Sequence, residues 1–202
     1  YLAAYQYDSV LSLGGQSHRE EGFLEIARLD VSNRQPGYIL DEGRQRISLV
    51  HPNLRVLQDL SLNEVSASSR IDAPQDILMG DMVANSAGEL FLLNLLDNQI
   101  YVLSAQGEWT LTFGGTDYGS GAILEPTSME LSAGNILYVA EPEYNRIQVF
   151  DIFGTFRYSL EVQVPYNWSS FQVSGQIIMV KGKDAFTFLD LRTQNQVSYP
   201  FP

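Results

Sequence analysis

Short apolar runs alternate with polar, turn-forming residues along most of the chain. The stretch from Gly134 to Asp151, GNILYVAEPEYNRIQVFD, places the runs ILYVA and IQVF on either side of the charged segment EPEYNR. Runs of four to six apolar residues bounded by Gly, Asn, Asp and Pro are typical of β-strands and turns, and they are too short for helices. The pattern predicts that ILYVA and IQVF are neighbouring strands of one sheet, joined by the turn EPEYN.

The runs differ in how strictly apolar and polar residues alternate. ILYVA, LFLL and IIMV are nearly continuous, which is typical of strands that are buried on both faces. WTLTF and FRYSL alternate, as expected of an outer strand with one face in water. Each unit is therefore predicted to be a four-stranded antiparallel sheet that runs from a buried inner side to an exposed outer strand.

The same plan recurs along the chain. The first apolar residue of the second run falls at Ile47, Ile100, Ile147 and Phe186, so the spacings are 53, 47 and 39 residues. A period near 40–50 residues predicts a propeller or an array of repeats. Stacking such sheets around an axis buries both faces of the inner strands and removes long exposed edges. The predicted fold is all-β, a β-propeller of four-stranded antiparallel blades.

The repeat also predicts the domain organisation. Residues 1–202 are expected to form a single β-propeller domain. Residues 1–14 correspond to the end of a third strand and all of a fourth, as outer strands of a shared or incomplete blade. The chain begins at Tyr1 rather than Met, which suggests a processed mature chain or a fragment. The blades are predicted at approximately 23–62, 72–114, 124–162 and 167–202.

One copy of the repeat resembles a known family. The segment 113–160, FGGTDYGSGAILEPTSMELSAGNILYVAEPEYNRIQVFDIFGTFRYSL, is similar to an NHL repeat, with a glycine-rich linker, a Pro before the first strand and the motifs GN, YVA and NRIQVF. These motifs are Pro126, Gly134-Asn135, Tyr138-Val139-Ala140 and Asn145 to Phe150. The likeness is weaker between Gly88 and Gly114, where DNQIYVL replaces NRIQVF. The resemblance implies an NHL-like propeller, a family that usually has six blades. A ring of four to five blades and part of a six-bladed ring therefore both stay open.

Composition narrows the classes of partner. The formal net charge is −12, and such a field repels phosphate backbones, so no nucleic-acid partner is expected. The chain has no Cys, which excludes disulfides and cysteine-based metal or redox sites. No apolar run approaches the ~18 residues of a membrane span, so membrane association is expected only through a partner. Heavy acidity with little Lys fits a high-salt organism or a secreted protein, and composition does not separate the two. With the start at Tyr1, we expect a secreted or periplasmic protein.

The residues needed for common catalytic sites are scarce. His18 and His51 are the only histidines, too few for a histidine-rich metal centre, and no nucleophile-elbow motif accompanies them. The linkers GGTDYGSG and GGQSHREEG contain glycines, but no Gly-Lys-Ser/Thr follows to cradle phosphate. We therefore predict no catalytic residue and no cofactor.

Carboxylates at the start of the first strands are the candidate metal ligands. Glu25, Asp76 and Glu125 occupy this position in three units, and a propeller can collect such side chains around its axis. The alternative is that they only solvate the mouth of the channel.

Aromatic residues in the linkers are the candidate partner anchors. Tyr118, Tyr166 and Trp168 would be plausible hot-spot residues if they are exposed, and the alternative is that they pack between blades. The leading hypothesis is a non-enzymatic scaffold that binds a protein or peptide, because loops on a rigid frame commonly carry function and NHL relatives commonly bind proteins. Two alternatives stay open: a metal-dependent hydrolase or lyase with a carboxylate site in the channel, and an accessory subunit of a larger membrane-associated assembly.

Overall fold

The structure, a computed structural model, describes residues 22–31, 37–53, 55–67, 71–116, 119–164 and 168–201. These residues form four antiparallel four-stranded sheets arranged as the blades of a β-propeller, so the predicted all-β propeller is confirmed. Within the described ranges, no helix is long and apolar enough to cross a membrane.

Each blade is a simple meander whose strands lie in chain order. The first blade contains β1 (Ile26–Asp30), β2 (Gly37–Asp41), β3 (Arg46–Val50) and β4 (Val56–Ser61). The short strand β5 (Ser66–Ala67) then pairs in parallel with the outer strand of the second blade. The second blade contains β6 (Met79–Ala84), β7 (Leu90–Asn94), β8 (Gln99–Leu103) and β9 (Glu108–Gly114). The third contains β10 (Ser128–Leu131), β11 (Ile136–Glu141), β12 (Arg146–Asp151) and β13 (Phe156–Glu161). The fourth contains β14 (Ser170–Ser174), β15 (Ile177–Lys181), β16 (Ala185–Asp190) and β17 (Gln196–Pro200).

These four sheets span 26–61, 79–114, 128–161 and 170–200, and each lies inside one of the predicted blade ranges. The prediction for residues 1–14 falls outside the described residues.

The hairpin of β11 and β12 shows how the sequence sets the local structure. Its two strands are the runs ILYVA and IQVF, and they pair from Ile136 with Asp151 to Glu141 with Arg146. A 3-10 turn, Pro142–Tyr144, joins them and ends at Asn145, whose φ is 48°. Asn tolerates this left-handed conformation better than most residues, so the Asn of the NRIQVF motif has a geometric role.

Three buried apolar clusters hold the blades together. The inner strands β1, β6, β10 and β14 pack side by side in that order, and a separate cluster fills each gap between successive blades. Among the described residues, no buried apolar cluster joins the fourth blade to the first. The first cluster includes Leu40, Ile47, Met82 and Trp109, the second Phe91, Ile100, Leu137 and Phe150, and the third Ile147, Val149, Phe171 and Val180.

Burial of the second strands departs from expectation in one blade. All five residues of β7 are buried, and β11 is buried along nearly its whole length, as the continuous runs predict. The run IIMV of β15 was expected to be equally buried, and this prediction is wrong. Ile178 is fully buried whereas Ile177 is 38% exposed. The reason is that, within the described ranges, a neighbouring blade covers only one face of the fourth blade.

Candidate functional site

A buried acid or amide at the end of the second strand fastens the linker that enters each of the first three blades. In the first blade, Asp41 accepts hydrogen bonds from the backbone N–H of Leu24 and of Glu25, both at 3.0 Å. In the second, the Asn94 side chain accepts from the backbone N–H of Leu78 at 2.9 Å. Both side chains are fully buried, so these bonds are shielded from water, and breaking them would be costly.

An arginine completes this arrangement in the third blade. Glu141 is fully buried and accepts a hydrogen bond from the backbone N–H of Leu124. The Arg146 guanidinium donates to both carboxylate oxygens of Glu141, with 3.1 Å between Nη2 and Oε1, and lies 5.3 Å from the ring centre of Tyr144. The hydrogen bond to Glu141 raises the pKa of Arg146, so the guanidinium stays charged. The pair thus fixes a cation at the start of β12.

A cleft of about 370 Å³ opens beside this pair. One wall is the linker between the second and third blades, and the other is formed by β12 and β13. The side-chain Nε2 of Gln148 donates to the backbone carbonyl oxygen of Ala122 at 2.7 Å, and the Ser159 hydroxyl donates to the side-chain Oε1 of Gln148 at 2.7 Å. Leu124 and Phe156 supply apolar surface. The described lining residues are Thr116, Gly119, Ser120, Gly121, Ala122, Leu124, Arg146, Gln148, Phe156 and Ser159.

The chemistry of the cleft suits recognition better than catalysis. None of the described residues that line it is a carboxylate, a histidine or a lysine. The Ser159 hydroxyl donates to an amide, whereas an activated nucleophile needs a general base as its partner. The cleft therefore offers hydrogen-bonding groups, one cation and apolar surface, without a pair that could exchange a proton.

The inner strands carry a second polar cluster near the axis. Arg28 on β1 donates from Nη2 to Glu130 on β10 at 2.9 Å, and its Nε lies 3.7 Å from Asp81 on β6. Asp81 also accepts from the backbone N–H of Met129 at 2.6 Å and of Met82 at 2.8 Å. Three blades are thus bridged by one arginine and two carboxylates.

Burial governs the protonation of this axial cluster. It raises the pKa of Asp81 to about 6, although Arg28 and the two backbone donors act in the opposite direction. Burial also raises the pKa of Glu130. Perturbed pKa values mark functional sites, but structural ion-pair networks produce them too. Because each oxygen of Asp81 already accepts from a backbone N–H, we assign the cluster to bracing between blades.

The candidate metal ligands do not assemble. Glu25, Asp76 and Glu125 are all exposed, and the described residues contain no group of three or more His, Asp or Glu side chains that could hold a metal ion. The main chain of Glu25 and of Asp76 is bound instead: the Glu25 N–H by Asp41, and the Asp76 carbonyl by the Asn94 amide at 3.0 Å. The alternative, that these side chains are solvated, agrees with their exposure.

The aromatic candidates divide. Tyr118 and Tyr166 lie outside the described residues. Trp168 is only 2% exposed and packs edge-on against Phe171, at 6.0 Å, in the cluster between the third and fourth blades. Trp168 is therefore not an accessible anchor, and the alternative of packing between blades holds for it.

Sequence reasoning missed the cleft and the axial cluster. A weak signal existed for the cleft, because the linker GGTDYGSG was interpreted only as a joint between blades, yet Thr116 and Gly119 within it line the cleft. A signal for the axial cluster was the presence of charged residues inside the first strands, at Arg28 and Asp81. His51, in contrast, lies on an exposed turn, where its Nδ1 accepts from the Asn53 N–H.

Comparison with known proteins identifies the fold but no family. No protein-family model matches the chain, and no curated protein matches it by sequence. Solved structures do match. A streptogramin B lyase superposes with a TM-score of 0.61 at 15% identity, over 88% of this chain and 55% of that one. A catalytically inactive histidine-to-alanine variant of virginiamycin B lyase from Staphylococcus aureus, with quinupristin, gives 0.63 at 12% identity over 88% and 56%. The WD40 repeats of RRP9 give 0.62 at 12% identity over 88% and 51%.

These likenesses establish a β-propeller and nothing finer. All three identities are far too low to transfer a function, and the NHL family is not confirmed. The chain spans about half the length of the solved structures that it matches.

Proposed function

We propose that the chain is an NHL-like propeller scaffold that binds a segment of a protein partner in the cleft between the second and third blades. The observation that carries the proposal is the cleft itself, which places a fixed guanidinium, an amide and apolar walls around a volume of about 370 Å³. Binding sites combine apolar lining with a few oriented polar groups in this way. The WD40 neighbours support a scaffold role by analogy of fold.

The cleft favours a segment that is extended and partly apolar. Leu124 and Phe156 are suited to an aliphatic or aromatic side chain, while Arg146 and Gln148 are suited to main-chain or side-chain oxygens. The backbone of 119–122 carries two glycines, so a ligand can approach the main chain closely. The net charge of −12 favours encounter with a partner of net positive charge. Extracytoplasmic localisation stays a prediction.

Catalysis is less well supported. One lyase neighbour is described as inactive after a histidine-to-alanine change. In the described part of this chain the single histidine is His51, which lies on an exposed turn of the first blade. The axial carboxylates are held by Arg28 and by backbone donors, so they are committed to the fold.

The proposal is tested by filling the cleft. Ser120→Trp places a large ring at an exposed lining position, and Ala133→Trp places the same ring on the exposed turn between β10 and β11. Each variant and the unchanged chain would serve as bait for affinity capture from the native source, with quantitative mass spectrometry. We expect a protein that the unchanged chain and Ala133→Trp enrich equally and that Ser120→Trp enriches at least about tenfold less, a loss of about 1.4 kcal/mol in binding. Equal capture by all three baits would refute the assignment of the cleft.

A further inference from the structure

The two faces of the fourth blade are in different environments. On the face toward the third blade, Ile178 and Val180 are fully buried. On the opposite face, Ile177 is 38%, Val197 51% and Tyr199 59% exposed. We call this second face the outer face of the fourth blade. Exposed apolar side chains are unremarkable singly, but a contiguous set marks an interaction surface.

The repeat identifies what this face corresponds to. Phe186 pairs with Lys181 in the register where Ile47 pairs with Leu40, Ile100 with Leu93, and Ile147 with Ala140. In each of the first three blades, that pair belongs to the cluster packed against the following blade. The outer face of the fourth blade is therefore the equivalent of three established blade interfaces, and no blade covers it among the described residues.

The shape of the face agrees with a sheet as occupant. A groove of about 480 Å³ runs over it, lined by Ile177, Phe188, Val197 and Tyr199. The rings of Phe188 and Tyr199 meet edge-on at 5.7 Å, so the aromatic floor is preorganised. Polar residues, among them Asp190, Thr193 and Asn195, complete the lining.

We propose that the outer face of the fourth blade receives a further four-stranded antiparallel blade, whose contact face is aliphatic like that formed by Ile178 and Val180. The solved propellers that this chain matches are about twice as long as the matched region, which leaves room for such blades in a larger ring. A second copy of this chain, which would present the free face of its first blade, fits less well. The first blade exposes Leu29 at 56% and Val31 at 64%, yet Ile39 on the same sheet face is only 7% exposed, so that face is already partly covered.

Site-specific photocrosslinking tests this inference and is independent of the cleft. Tyr199 would be replaced by p-benzoylphenylalanine. In the matched control, p-benzoylphenylalanine would replace Phe153, a turn residue that is 76% exposed. After irradiation in the native source, crosslinked peptides are sequenced by mass spectrometry. We expect Tyr199 to yield, well above Phe153, a peptide with short apolar runs separated by Gly, Asn or Asp, from outside residues 1–202. A crosslink to a second copy of this chain, a crosslinked peptide without the strand pattern, or a yield no higher than at Phe153 would each overturn the inference.

Discussion

The neighbouring isoleucines of β15 provide a matched pair for the asymmetry of the fourth blade. Ile178 is fully buried in the cluster that joins the third and fourth blades, whereas Ile177 is 38% exposed on the outer face. Ile178→Ala removes the same atoms as Ile177→Ala, but only at Ile178 does an enclosed cavity remain. Buried isoleucine-to-alanine changes cost about 2–5 kcal/mol, so we expect about 3 kcal/mol for Ile178→Ala. Ile177→Ala should cost no more than about 1 kcal/mol, because it loses partial burial without leaving a cavity.

The free energies of unfolding would be measured on residues 1–202 alone, without the additional blade proposed above, by urea denaturation followed by tryptophan fluorescence. Trp168 belongs to the same cluster as Ile178, so its emission reports on this interface. Surface substitutions usually change the free energy of unfolding by no more than about 0.5 kcal/mol. If the two substitutions cost the same within that margin, both faces of the blade would be covered. The assignment of an uncovered outer face would then be wrong.

Three further predictions concern the buried polar contacts and the linker between the second and third blades. Glu141→Ala removes a buried partner of Arg146 and should lower the free energy of unfolding by about 3 kcal/mol. Arg157→Ala is the control, because it removes an ion pair whose arginine is 53% exposed and should cost less than about 1 kcal/mol. Equal costs in urea unfolding would show that Glu141 does not stabilise the third blade through buried contacts. Gly121→Ala should lower the free energy of unfolding by more than about 1 kcal/mol, because the φ of Gly121 is +95° and the new Cβ would lie 2.9 Å from a Phe156 carbon. Gly119→Ala is the control, since its Cβ would meet nothing within 4 Å. Equal thermal stabilities of the two variants would contradict this prediction. The pKa of Asp81 is raised in the folded protein, which therefore binds more protons than the unfolded chain between about pH 4 and pH 6. The free energy of unfolding should accordingly fall as the pH rises through this range. An unchanged slope against pH in Asp81→Asn would show that another group is responsible.

Periodicity carried the prediction of the fold. The landmark residues Ile47, Ile100, Ile147 and Phe186 all lie at the start of the third strand of a blade, at equivalent positions in the register. This worked because apolar runs and turn residues are local signals, and four copies reinforce one another. Burial of β15 was not predictable in the same way, since IIMV is as apolar as ILYVA and the presence of a covering sheet is not a property of the strand itself.

The candidate site depended on contacts that a single sequence does not reveal. Arg146 and Gln148 were visible only as parts of a repeat motif, and their relation to Ala122 appears once the linker folds back over β12. The axial cluster unites Arg28 and Glu130, which are 102 residues apart. For Trp168 the sequence left two roles open, because an aromatic residue in a linker segment is as suitable for packing between blades as for contact with a partner.

Hydrogen exchange of the chain with and without the captured partner tests whether the partner binds in the cleft. If it does, we expect the backbone amides of 119–122 to become protected on binding, while those of the turn around Ala133 exchange at an unchanged rate. Protection confined to other parts of the surface, with 119–122 exchanging at the same rate in both states, would contradict the assignment of the cleft as the binding site.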